Sequence, residues 1–322
     1  MNLLGTIGFS AGMQSKQQQR RVLKKTRSPI RVVVFFLAPA LIVYLAFVAY
    51  PVVKIFRLCL FRWRGITRGT QEFIGFGNFV KLIHDPVFWR AFVNNVVLFL
   101  FVVVVSVCVA LFFAYIIAHR IKGSMFYRAT WLFPNMLGDV IVATIWLFIY
   151  HPTIGMLNYF LSLIGIDIGA TPWLGQSSTA LIAVTTPMIW KFAGLYIILF
   201  LAAIQEIPQS FLDAARIDGA TRWQEFFHVI LPLIRPTIAV AIVFLMWNSF
   251  SVIFTYVKLL TEGGPYRSTE VLPTYIYQVG FKYHEFGYGS AISVATFIFI
   301  FALAALVLRM LMERLMRGEK GF

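Results

Sequence analysis

Asp213-Ala-Ala-Arg-Ile-Asp-Gly-Ala-Thr-Arg-Trp-Gln-Glu-Phe-Phe-His-Val-Ile-Leu-Pro-Leu-Ile-Arg-Pro236 is a charged, polar island between two long apolar runs. Its spacing predicts two short helices joined by a bend at Gly219, with Pro232 and Pro236 stopping the second. Pro208-Gln-Ser210 can start the first helix, since Pro is tolerated in a first turn and Ser accepts bonds from free N–H groups. Leu212, Ala215 and Ile217 then make an apolar face, with Asp213, Arg216 and Asp218 on a polar one. Thr221 followed by Gln224 has the spacing of a capping box. From these residues alone, two readings stand: an ordinary amphipathic hairpin, or a lever that a partner grips.

The island stands out because the rest of the chain is oily. Its 322 residues are 60% hydrophobic and only 13% charged, with a mean hydropathy of +0.80. A soluble domain carries about 25% charged residues, so the composition is that of a polytopic membrane protein. Crossing the hydrocarbon core takes ~20 apolar residues. Runs of that kind occur at about 32–55, 91–118, 129–150, 179–203, 237–260 and 289–312. The expectation is an all-α integral membrane protein: six transmembrane helices over 32–314, a cytosolic loop over 204–236, and tails at 1–31 and 315–322. Residues 156–164 can form a short surface helix between spans. The apolar run behind the basic N-terminal stretch exceeds a signal-peptide core, which points to an uncleaved first span.

The net charge of +15 could point to nucleic acid, but its placement argues otherwise. Lys16, Arg20, Arg21, Lys24, Lys25, Arg27 and Arg31 crowd the first tail, and Arg309, Arg314, Arg317 and Lys320 close the chain. Residues 151–178 contain no Lys or Arg. This positive-inside bias places both termini in the cytosol, with His119, Arg120 and Lys122 at the inner end of the second span. Cys59 and Cys108 lie in or beside apolar runs, which fits small buried hydrophobes rather than a disulfide framework.

No phosphate-binding GxxxxGK[ST] stretch, no HExxH and no paired Cys/His spacing occurs, so the sequence offers no nucleotide or metal site of those kinds. No catalytic residue is assigned, and the chain is expected not to be an enzyme. The polar residues inside spans are the other candidates, because such groups are costly in lipid and usually face a cavity or a partner. Asn248, Ser251 and Thr255 fall at i, i+3 and i+7 and share a helix face. Lys191 sits beside Trp190. Asp139 and Trp146 are seven apart on one face. An aromatic ring beside amide and hydroxyl groups suits a sugar, whose C–H faces stack while its hydroxyls are hydrogen-bonded. The same Asn, Ser and Thr can equally bond between packed helices. Asp139 and Lys191 can form a structural ion pair, or serve as the coupling groups of an ion-driven secondary transporter.

The island resembles the EAA loop of ABC importer permease subunits: Glu-Ala-Ala, a Gly, nine residues, Ile, any residue, Leu-Pro. Here it reads Asp213-Ala214-Ala215, Gly219, Val229 and Leu231-Pro232, with the nine-residue gap kept. Asp213 replaces the usual Glu on a shorter arm. Ala203-Ile-Gln205-Glu-Ile-Pro208, Asp218-Gly219-Ala220, Phe73-Ile-Gly-Phe-Gly-Asn78-Phe, Asp85-Pro-Val-Phe88-Trp89, Leu260-Thr261-Glu-Gly263-Gly264-Pro265 and Phe286-Gly-Tyr288-Gly-Ser-Ala291 are similar to the carbohydrate branch, the relatives of the maltose and glycerol-3-phosphate permeases. Thr255 departs from an Asp frequent in that branch. The resemblance implies the MetI-like architecture of type I importers and a bacterial or archaeal cytoplasmic membrane. It implies a second, homologous permease, two cytosolic ATPases that bind ATP and Mg (this chain holding no cofactor), and an external binding protein. Asp213, Ala214, Ala215, Asp218, Gly219, Leu231 and Pro232 would then carry the ATPase contact. Trp190, Lys191, Asn248, Ser251 and Thr255 would line the path of a monosaccharide, an oligosaccharide or glycerol-3-phosphate.

Overall fold

The computed structural model describes residues 30–65, 71–118, 123–166 and 169–318. The basic tail, His119, Arg120, Lys122 and the last four residues lie outside that set. Two units emerge, divided between Arg57 and Leu58. The first holds helix α1 (Val34–Leu58) as far as Arg57, and α1 widens by a turn at Leu45–Ala49. Phe35, Phe36, Leu41 and Phe47 are exposed around it. A helix apolar on all sides is suited to lipid.

The second unit begins with two two-residue strands, β1 (Phe61–Arg62) and β2 (Glu72–Phe73), paired antiparallel with Phe61 opposite Phe73. Helix α2 (Gly77–Ile83) follows. Its buried Asn78 amide donates to the Cys59 and Phe61 carbonyls at 2.8 and 3.0 Å. Asp85 then accepts from the Val87 and Phe88 N–H groups and caps α3 (Pro86–Ala118). Such a cap satisfies donors that a helix start leaves free.

Helices α4 (Ser124–Met136) and α5 (Asp139–Ile149) occupy the stretch expected as one span over 129–150. They meet at 99°, so the span there is a bent pair rather than one continuous helix. The cause is local: Pro134 lacks the N–H that would continue the ladder, and Leu137 and Gly138 are extended. Helix α6 (Met156–Leu163) lies where a short helix was expected. Four further long or short elements complete the unit: α7 (Ala180–Gln205), α10 (Arg235–Leu260), α11 (Leu272–Tyr277) and α12 (Phe286–Gly318). Between α7 and α10 stand two short helices, α8 (Gln209–Ile217) and α9 (Arg222–Glu225). Five helices, and the bent α4–α5 pair as a sixth, are long and apolar enough to cross a membrane.

Helix α7 is the centre of the core. It packs on α3, α4 and α10, and Tyr196, Ile197, Phe200 and Leu201 are fully buried. At Gly194 the α4 backbone comes so close that a β-carbon would stand 1.9 Å from the Trp131 carbonyl oxygen. Small residues permit such approach, and lipid-embedded helices depend on it because tails offer no competing hydrophobic drive.

Candidate functional site

The polar island folds as α8 (Gln209–Ile217), a turn, and α9 (Arg222–Glu225). Gly219 takes φ +77°. The Ala220 N–H bonds the Ala215 carbonyl at 2.9 Å and the Gly219 N–H bonds that of Arg216 at 3.1 Å. Those two bonds are the Schellman closure of a helix, and the left-handed residue it needs is cheapest as Gly. Thr221 then caps α9: its hydroxyl accepts from the Gln224 N–H at 3.3 Å, and the Gln224 side chain accepts from the Thr221 N–H at 2.8 Å.

Pro232 does not stop this second helix, contrary to expectation. The chain passes through a widened turn at Phe226–Ile230 and stays helical over Leu231–Leu233. A widened turn accommodates a proline because the preceding carbonyl is already displaced from the ring. The break falls at Ile234 (φ −91°, ψ 5°), and Pro236 sits in the first turn of α10.

One ion pair braces the two helices, and a second contact lies within α8. Arg216 Nε donates to Glu225 Oε2 at 3.3 Å, and Arg216 also reaches Asp213 Oδ1 at 3.4 Å. Glu225 is buried, whereas Asp213 is exposed. Inner contacts root the pair: Leu212, Phe226, Ile230 and Ile234 join the main apolar cluster with Ile204 of α7. The Tyr115 ring of α3 packs edge-on against Phe226 at 5.0 Å, and its hydroxyl bonds the Arg222 carbonyl. On the outer side, Ala215, Asp218, Gly219, Ala220, Gln224, His228 and Val229 line a cleft of about 390 Å³. Beside it Ile217 is 86% exposed and Trp223 71%, the latter stacked on Phe227. Exposed large apolar side chains on an element rooted in the core make this side a candidate contact surface. Of the seven residues singled out in the sequence, Ala215, Asp218 and Gly219 border this cleft. Asp213 and Ala214 lie exposed on α8, and Leu231 and Pro232 are half-buried at the root.

The polar residues of the spans form a second group. Lys191 is buried, and its Nζ lies 2.6 Å from Asp139 Oδ1. Tyr256 donates to the same oxygen at 3.0 Å. Asn248 donates to the Tyr196 hydroxyl at 3.3 Å. Ser251 is exposed and Thr255 half-buried, close to a local irregularity at Val252 that divides α10. The Trp190 ring stands 6.0 Å from Trp146. Sequence reasoning missed Tyr196, Tyr256, Arg216 and Glu225 as partners. Each of the two tyrosines carries a hydroxyl into an apolar run, which was the available signal.

The family model described as "Binding-protein-dependent transport system inner membrane component" matches residues 6–318. The chain is 37% identical over 276 residues to the "Probable ABC transporter permease protein YurN" of Bacillus subtilis (strain 168), covering 85% of this chain and 94% of that protein. It is 33% identical to the "Diacetylchitobiose uptake system permease protein NgcF" of Streptomyces coelicolor, covering 89% and 83%. Among solved structures it resembles a chain of a bacterial ABC transporter involved in the import of the acidic polysaccharide alginate. There the TM-score is 0.76 at 27% identity, over 91% of this chain and 99% of that one.

Proposed function

Because the chain belongs to the family of binding-protein-dependent transport system inner membrane components, we propose that it is the permease subunit through which a carbohydrate crosses the cytoplasmic membrane of a bacterium or archaeon. Its work is alternating access: the cavity opens to one side and then the other, between two states whose balance ligands shift. ATP and Mg are bound by two copies of a separate cytosolic ATPase. A homologous permease completes the pore, an external binding protein delivers the substrate, and both termini lie in the cytosol. Asp213, Ala214, Ala215, Asp218, Gly219, Leu231 and Pro232 carry the ATPase contact, and Trp190, Asn248, Ser251 and Thr255, with Lys191 behind them, border the path.

The observation that carries this reading is the build of α8 and α9. They present exposed Ile217 and Trp223 around a cleft while Leu212, Phe226 and Ile230 anchor them in the core beside α7. A push on that surface is passed to the spans rather than absorbed in a loop. The names of the similar proteins support a sugar cargo, diacetylchitobiose for one and alginate for another. Asp139 and Lys191, the groups an ion-coupled carrier would use, are bonded to each other. The test is ATP hydrolysis by the purified complex with its binding protein across a panel of mono- and oligosaccharides. One or a few sugars should raise hydrolysis several-fold. A panel without effect, beside stimulation by an amino acid or a peptide, would overturn the carbohydrate assignment.

A further inference from the structure

Helices α7 and α10 touch through apolar side chains and through polar rungs at two levels. At one level the Asn248 amide meets the Tyr196 hydroxyl. At the other, Lys191 and Tyr256 converge on one oxygen of Asp139. Tyr196 follows Lys191 by five residues, and Asn248 precedes Tyr256 by eight. The two levels are therefore about 8 Å apart along α7 and about 12 Å along α10, at 1.5 Å of rise per residue. The order of the pairs makes the helices antiparallel, and Ser251 and Thr255 fall between the rungs.

We propose that Asp139, Lys191 and Tyr256 are positioning residues for transport: they fix the register and rotation of α10 against α7, and thereby aim Ser251 and Thr255 into the path. Apolar helices in lipid slide and rotate on each other at little cost, since no hydrophobic force distinguishes one contact from another. A charged pair does distinguish them. A displaced α7 leaves the buried Lys191 ammonium without its carboxylate, which a low-dielectric interior penalises heavily. Best attested among the uses of buried ionic groups is such setting of register, while their net contribution to stability is small. Asp139 adds a third element. It is the first residue of α5, directly after the 99° bend. A movement of α5 is thus passed to α7 through Lys191 and to α10 through Tyr256.

This inference rests on the stripe lining the path in an ATP-driven permease, and the experiment separates the two. In the assembled complex in proteoliposomes, with Cys59 and Cys108 replaced by Ser, Ser251→Cys is reacted with a membrane-impermeant methanethiosulfonate. The parent should label at a rate that changes when ATP and Mg are added. Tyr256→Phe and Asp139→Asn should shift that rate at least fivefold, and the charge-swapped pair Asp139→Lys with Lys191→Asp should bring it back toward the parent. Tyr256→Phe removes one hydroxyl only, so it keeps the test available if Asp139→Asn assembles poorly. Labelling at the parent rate in both variants overturns the positioning role. A parent that labels without regard to ATP, with variants still shifted, sinks the ATP-driven reading and leaves the positioning role standing. A parent that never labels removes both.

Discussion

At the scale of single residues, two glycines show how different demands produce the same choice. Gly194 is Gly because backbone presses on it, and Gly219 because its own φ is positive. Nothing lies within 4 Å of a β-carbon built on Gly219. Gly219→Ala should therefore cost only the left-handed strain, about 1 kcal/mol, and leave the complex assembled. Gly194→Ala forces α4 away from α7, and overpacking of that kind costs about 3 kcal/mol. Thermal unfolding of the purified complex should rank the two in that order. Asp85 supplies a pH prediction. Burial works against its charge, yet hydrogen bonds from Tyr275, Tyr288 and the Val87 and Phe88 N–H groups outweigh burial and hold its pKa below the ordinary 3.8. A lowered folded pKa means stability that is present above that ordinary value and lost as pH falls through the lowered one. Melting temperature against pH should fall on the acid side, and Asp85→Asn should flatten that part of the profile.

At the scale of elements, α8 and α9 were legible in the sequence because their signals are local. The Gly219 turn and the Thr221–Gln224 cap each involve residues within five positions of each other. Thr221→Ala should cost about 1 kcal/mol, as a lost cap does, and fray α9 in amide hydrogen exchange before it affects the spans. Pro232 was misread because a proline is a stop only for an α-helical turn, and the widened turn before it has no signature in composition. The bend between α4 and α5 was missed for a related reason. The 129–150 run is apolar enough to read as one span, and hydropathy averages over the very residues, Leu137 and Gly138, that break it. The Asp139–Lys191 pair spans 52 positions. The sequence could name both groups and the option of pairing, but only the packing of α5 on α7 brings them together, and Tyr256 with them.

At the scale of the whole molecule, the polar island and the rungs among α5, α7 and α10 meet in one apolar cluster within the second unit. Leu212, Phe226 and Ile230 tie the island to the apolar cluster that contains Tyr196, Ile197 and Tyr256. On the proposed coupling role, force applied at the cleft beside Gly219 would reach α7 through that packing, and α7 carries Lys191 and Tyr196. Gly219→Pro should break that path without emptying the core. Proline holds φ near −65° and cannot adopt the +77° found there. The expected result is ATP hydrolysis that persists while transport falls to background.

The most direct measurement is uptake of labelled carbohydrate by proteoliposomes that hold the assembled complex and its binding protein, with ion gradients collapsed by ionophores. The account predicts uptake that needs ATP and Mg and that disappears in Gly219→Pro while hydrolysis continues. Uptake that is lost when the ionophores collapse the gradients, and that runs on a proton or sodium gradient in their absence with neither ATP nor an ATPase subunit present, would contradict it.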